Sequence, residues 1–222
     1  MACAPGAGTY HQSMRQVILT TLLMRRRQTG GAAVAGPGLP VEPSTAGHGA
    51  SVGLWAAQLP RHILITPLGR VLLAASDVGL AGLWFEGQRH GPLAAWRGLG
   101  HQPTQPGHPV LQTAERQLQD YFAGRRQAFD LPLDLSHGTP FQRQVWQALR
   151  DIPAGRTAAY AELAQRIDAP QAARAVGAAV GRNPISIIVP CHRVLGAGGS
   201  LTGYAGGLDR KRALLTLEGV LA

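Results

Sequence analysis

The sequence predicts an α/β fold in two parts: a small N-terminal sheet-plus-helix domain, then a mostly helical C-terminal domain with a helix-turn-helix. Three observations carry this. Apolar runs between residues 62 and 85 are separated by turn-forming stretches, as in an antiparallel meander. Three helix-start signals follow between residues 139 and 171. Residues 30–50 are mostly Gly, Ala and Pro and offer a core almost nothing. The expected boundaries are 1–55 for a disordered extension, 56–135 for the first domain and 136–222 for the second.

The extension holds an apolar run, Val17 to Met24, too short to span a bilayer. Arg25-Arg26-Arg27 follows it, the reverse of a secretory signal, whose charge precedes the apolar run. The expectation is a disordered tail or a start codon placed upstream, with a membrane-surface helix as the lesser alternative.

In the first domain, His62 to Ile65, Arg70 to Ala75 and Leu80 to Phe85 read as strands. Thr66-Pro67-Leu68-Gly69 and Asp77-Val78-Gly79 are the turns between them. Gly87 to Gly107 reads as loop. Val110 to Phe122 places Leu111, Ala114, Leu118 and Tyr121 or Phe122 on one helical stripe, ended by Gly124. His90, His101, His108 and His137 have no metal-ligand spacing and read as solvated loop histidines, so no metal is expected.

In the second domain, Thr139-Pro140-Phe141-Gln142 combines a Thr cap, Pro at the first helical position and Gln three after the cap. Thr157 reads as the cap of a helix reaching Ile167, with Tyr160, Leu163 and Ile167 on one stripe. Asp168-Ala169-Pro170-Gln171 reads as the start of a third helix reaching Val180. Two short helices across a tight turn predict a helix-turn-helix. Ala173, Val176 and Val180 of the third helix can face inward. Arg174, Ala178 and Gly181 form a nearly flat face with one long cation. Such a face lacks the several outward polar side chains of a major-groove reader and suits sequence-independent binding. The net charge of +9 fits an anionic partner, although an Arg-biased composition alone could produce it.

Ile187-Ile188-Val189 reads as a short buried strand that Pro190 ends. Cys191 and His192 follow. A thiol needs a nearby base or positive charge to become a good nucleophile. Adjacent side chains on a strand diverge, so contact between these two needs a turn after Pro190 or a bridging water. A bare Cys-His pair is more often a structural thiol beside a surface imidazole. The only other cysteine, Cys3, lies in the extension, so there is no disulfide framework. A free thiol fits a reducing compartment such as the cytoplasm. Glu218 falls on the inward stripe of the last helix, Leu208 to Leu217, where a carboxylate needs a partner; the alternative is a frayed end in solvent.

Asn183-Pro184, the apolar run and Pro190-Cys191-His192-Arg193-Val194 together resemble the active-site segment of the O6-alkylguanine-DNA alkyltransferases, also called methylated-DNA–protein-cysteine methyltransferases. The resemblance covers most of Thr139 to Gly219 and extends more weakly back to about Arg61. It implies a DNA repair protein that needs no cofactor and acts, as a monomer, on duplex DNA containing alkylated guanine, with O4-alkylthymine as a further candidate. The damaged base is flipped out and its alkyl group moves irreversibly to Cys191. Glu218 orients His192, which takes the thiol proton through water. Tyr160 donates toward guanine and also contacts the DNA. Asn183 ties the recognition helix to the active-site turn. Arg174 fills the gap in the duplex, beside Ala173 and Ala178 at the DNA surface. Val194, Tyr204, Ala205 and Gly206 line the base pocket. Relatives with a structural zinc use cysteines in the first domain that are missing here. Small Ser186 and Ala205 lean toward a roomy pocket.

Two other classes fit less of the chain. A plain helix-turn-helix regulator leaves Pro190-Cys191-His192-Arg193 unexplained. A cysteine hydrolase leaves the DNA-like helices unexplained. Relatives that bind alkylated DNA without repairing it lack the cysteine, and no second regulatory domain suggests a transcription activator.

Overall fold

The computed structural model describes residues 54–96, 105 and 107–221. The expectations about the extension through residue 53, with Cys3 and the Val17–Met24 run, and about His101 lie outside the described residues.

Strands β1 (Arg61–Thr66), β2 (Gly69–Ala75) and β3 (Leu80–Phe85) form the expected antiparallel meander. Thr66 pairs with Gly69 across the first turn and donates to its carbonyl at 2.6 Å. The sheet is apolar on both faces. Val71, Leu73, Leu83 and Phe85 join the main core, whereas Ile63, Leu72, Ala74 and Trp84 form a second cluster. The second cluster explains a departure from expectation. Within the stretch read as loop, Leu93–Trp96 folds as a short helix, α1, and Ala95 and Trp96 pack against that cluster. Helix α2 (Pro109–Phe122) covers the other face with Leu111, Ala114, Leu118, Tyr121 and Phe122. Each large apolar side chain buried in this way contributes roughly 1.5–3 kcal/mol.

Helix α3 (Pro140–Arg150) starts as expected. The Gln142 N–H donates to Thr139 Oγ1 at 3.2 Å, and the Thr139 N–H donates to Gln142 Oε1 at 2.9 Å. Trp146 on this helix donates its indole N–H to the Ala179 carbonyl at 2.9 Å. The next start differs from expectation. Ala158–Ala159 is a short strand, β4, pairing in parallel with β5 (Val194–Leu195). Thr157 therefore is not the cap; helix α4 (Tyr160–Arg166) starts after Ala159, whose N–H donates to Glu162 at 3.3 Å. The third start also differs. Asp168 is left-handed (φ 56°) and caps nothing; Pro170–Ala172 makes a 3-10 turn before helix α5 (Ala173–Gly181). Val176, Ala179 and Val180 of α5 are buried, Ala173 is half-buried, and Arg174 and Ala178 are exposed.

Ile187-Ile188-Val189 is not a strand. Only Ile185 bridges the sheet, in parallel with Leu83. The Leu83 N–H donates to the Pro184 carbonyl and the Ser186 N–H to the Leu83 carbonyl, both at 2.9 Å. After Ser186 the chain turns, with Ile187 at φ 70°. Strand β3 thereby anchors the segment that carries Cys191. Helix α6 (Leu208–Leu217) closes the described chain and presents Glu218 at its end.

Candidate active site

Asn183 explains why the apolar run turns. Its Oδ1 accepts from the Ile185 N–H at 3.0 Å, and its Nδ2 donates to the Val189 carbonyl at 2.7 Å and to Cys191 Sγ at 3.0 Å. These bonds replace those a sheet ladder would supply and hold Ile187 in a region that a β-branched residue rarely adopts. Cys191, His192 and Arg193 then form a 3-10 turn and are all buried.

Burial pushes the Cys191 thiol up to about 11, against the opposing pull of the Asn183 donor and the Lys211 charge. At neutral pH the group is a thiol, and it needs a base to become a nucleophile.

Burial lowers the proton affinity of His192, an effect that Glu218 opposes and that Arg193 and Lys211 reinforce. Its Nε2 lies 3.0 Å from Glu218 Oε1. An ionised carboxylate can only accept, so Nε2 carries the hydrogen of the neutral ring and Nδ1 keeps its lone pair. Nδ1 is buried and makes no hydrogen bond to the described residues.

Glu218 is buried, as its place on the inward stripe predicts. Burial alone would raise its pKa, but hydrogen bonds from His192 and Arg193 outweigh burial and hold it at about 2. Arg193 Nε donates to Oε2 and Nη2 to Oε1, each at 2.8 Å. Arg193 Nη1 donates to the Ile152 carbonyl at 2.5 Å. The hydroxyl of Tyr121, on α2, adds a further donor to Oε1 at 2.8 Å. The ion pair therefore has its remaining hydrogen bonds satisfied, which a buried pair requires.

Two phenols border the thiol. Tyr160 is half-buried and donates to the Gly203 carbonyl at 3.1 Å. Burial, then the Cys191 charge, raises its pKa. The same two causes hold Tyr204 well above the ordinary range. Both stay protonated at neutral pH and can donate. Val194 is fully buried in β5. Ala205 accepts from the Arg89 N–H at 3.0 Å. A Cβ on Gly206 would come within 2.7 Å of the Tyr204 ring and 3.1 Å of the Phe85 ring, so only glycine lets this loop pass.

The structure thus joins Asn183 to Cys191 and His192 to Glu218 by direct bonds, and sets Tyr160 and Tyr204 within electrostatic reach of the sulfur. Arg174 stands apart on the exposed face of α5, with no hydrogen bond or ion pair to the described residues. Three site residues were not foreseen. Arg193 sits inside the Pro190-Cys191-His192-Arg193-Val194 motif, which by itself points to no partner for it. Tyr121 looked like part of an apolar stripe. Lys211, the only lysine in the chain, is buried and donates to the Val194 and Thr202 carbonyls. The inward carboxylate at Glu218 was the signal that such partners exist. Among the described residues no group of three or more His, Cys, Asp or Glu could hold a metal ion. A pocket of about 430 Å³ is lined by Phe129, Ile152, Ile188, Pro190 and Arg193.

Comparison with known proteins gives three kinds of match. Residues 61–135 match the family described as 6-O-methylguanine DNA methyltransferase, ribonuclease-like domain, and residues 140–220 match the DNA binding domain of the same description. A methylated-DNA–protein-cysteine methyltransferase of Mycolicibacterium paratuberculosis is 50% identical over 153 residues, covering 69% of this chain and 88% of that protein. One from Methanosarcina acetivorans is 46% identical over 159 residues, covering 71% and 96%. The crystal structure of Mycobacterium tuberculosis O6-methylguanine methyltransferase superposes with a TM-score of 0.64 at 47% identity, covering 74% of this chain and 95% of that one. The crystal structure of Mycobacterium tuberculosis OGT in complex with DNA superposes with a TM-score of 0.60 at 46% identity, covering 71% and 91%.

Proposed function

From the premise that the chain belongs to the methylated-DNA–protein-cysteine methyltransferase family, we propose a single-turnover route by which it reverses alkylation of guanine. As a member it is a DNA-binding methyltransferase of DNA repair. Helices α4 and α5 lie against duplex DNA, with Ala173 and Ala178 allowing close approach. The damaged guanine rotates out of the stack, and Arg174 enters the gap. Val194, Tyr204, Ala205 and Gly206 receive the base.

The Cys191 sulfur attacks the alkyl carbon as the bond from that carbon to guanine O6 breaks. The thiol proton passes through water to His192 Nδ1. Tyr160 donates toward the departing guanine. Overall, sulfur gains the alkyl group, guanine gains a proton, and the protonation states of His192 and Tyr160 are restored through solvent. The thioether is a poor leaving group, so the protein is spent. No cofactor takes part. The working species is a monomer in the cytoplasm, with residues 56–135 supporting and residues 136–222 performing the chemistry. No helix among the described residues is long and apolar enough to cross a membrane. O4-alkylthymine is a second candidate substrate for the same pocket.

The observation that carries this reading is a buried thiol next in sequence to a buried imidazole whose Nε2 lies 3.0 Å from a buried carboxylate. The test is a titration of O6-methylguanine duplex against protein. Repaired guanine should plateau at one per protein molecule. Continued repair beyond that ratio would overturn the reading.

A further inference from the structure

We propose that Tyr121, on α2, is a positioning residue of the Cys191 site: its donation to Glu218 Oε1 limits how firmly that oxygen can hold protonated His192. The proposal rests on the reading of Glu218 and His192 as a proton relay.

Three donors converge on Glu218 Oε1: the Tyr121 hydroxyl at 2.8 Å, His192 Nε2 at 3.0 Å and Arg193 Nη2 at 2.8 Å. A carboxylate oxygen offers two lone-pair directions, so the three donors compete. Each one draws electron density that the others would otherwise use. Tyr121 cannot swing away or be replaced by solvent. It is 2% exposed, and its ring centroid lies 5.4 Å from those of both Phe122 and Phe129. Other charged or titratable groups also bear on the pair. Arg193 and Lys211 face His192, while Arg193 and Tyr204 face Glu218 and Tyr121. All of these lie beyond residue 190. Tyr121 is thus the member of the network that the sheet-plus-helix half supplies, and the carboxylate's set of donors is incomplete without that half.

Removing the hydroxyl leaves Oε1 to His192 and Arg193 alone. The carboxylate then binds the imidazolium more firmly, and His192 holds a proton up to higher pH. A base already carrying a proton cannot take one from the thiol. The signature is a displaced pH profile rather than a uniform loss of rate, which is what a packing role would produce.

The test is Tyr121→Phe, which keeps the ring. The second-order rate of alkyl transfer from O6-methylguanine duplex is followed from about pH 4.5 to about pH 9. The acid limb should move up by roughly half to one pH unit, with a plateau within about threefold of wild type and unchanged duplex affinity. Phe129→Leu disturbs the packing of the same ring and should leave the limb in place. An unmoved limb in Tyr121→Phe, or an equal drop at every pH, would overturn the inference. Glu218→Gln is run alongside. If it transfers at the wild-type rate, the relay reading itself fails. If it is slow while Tyr121→Phe keeps the wild-type profile, only the role of Tyr121 fails. Titration of the His192 ring by NMR reads the same shift without catalysis and decides the matter for a variant that binds DNA poorly.

Discussion

The carboxamide of Asn183 donates to the sulfur of Cys191 at 3.0 Å, across eight residues of chain and a buried turn. The same nitrogen also holds the Val189 carbonyl. One side chain therefore favours negative charge on the Cys191 sulfur and fixes the backbone that carries it.

Replacing Asn183 with Ala should weaken both functions. The buried N–H of Ile185 loses its partner, while the Val189 carbonyl keeps the Cys191 N–H at 2.8 Å; one buried group left unsatisfied costs about 1–3 kcal/mol. The thiol, already pushed to about 11 by burial, loses a donor that lowers it. Urea denaturation should show a drop of this order, and stopped-time alkylation should slow at least tenfold at pH 7, with a smaller deficit at higher pH. Wild-type stability would mean that the turn stands without Asn183.

Glu218→Gln removes the charge that orients His192. Transfer should slow by roughly a hundredfold or more, while affinity for undamaged duplex changes little. Stability should respond to pH with a definite sign. The carboxyl sits at about 2 in the folded protein, below its ordinary 4.5. Its stabilisation is fully present above about pH 5 and is lost as pH falls through the folded value. The difference corresponds to about 3 kcal/mol. Denaturant midpoints measured from neutral to acid pH should fall more steeply for wild type than for the Gln variant. Parallel curves would show that Glu218 does not carry this linkage.

Arg174 is exposed on a face otherwise made of small residues and has no partner among the described residues. If it fills the space left by an extruded base, Arg174→Ala should slow repair of duplex strongly and reaction with free O6-methylguanine hardly at all. A guanidinium that only meets phosphate would be replaced well by Lys, and saturating DNA would rescue the Ala variant. Rates on duplex and on free base for both variants distinguish the two roles.

The strands were legible because turn stretches at Pro67 and Gly79 punctuate apolar runs, and α3 because Thr139 and Gln142 make a reciprocal cap. The run Ile187 to Val189 departs, for a physical reason, from the strand that its sequence predicts. Its β-branched residues favour a strand locally, but the bonds from Asn183 decide the backbone. The start of α4 moved because Ala158 and Ala159 pair with a strand distant in sequence. Cys191, His192 and Asn183 were legible from their motif, and the need of Glu218 for partners from its place on the helix. Which partners answer that need was not legible. Tyr121 lies 97 residues from Glu218, and its hydroxyl is invisible to an apolar periodicity. Arg193 is next to His192, yet its guanidinium reaches a carboxylate 25 residues on.

The proposed route requires that Cys191 itself keep the alkyl group. Intact-mass measurement after mixing with O6-methylguanine duplex, followed by peptide mapping, tests it most directly. The expected result is a gain of one methyl group per chain, on the peptide containing Cys191, and none in Cys191→Ala. A methyl group on another residue, or an unmodified protein beside repaired DNA, would overturn the proposed route.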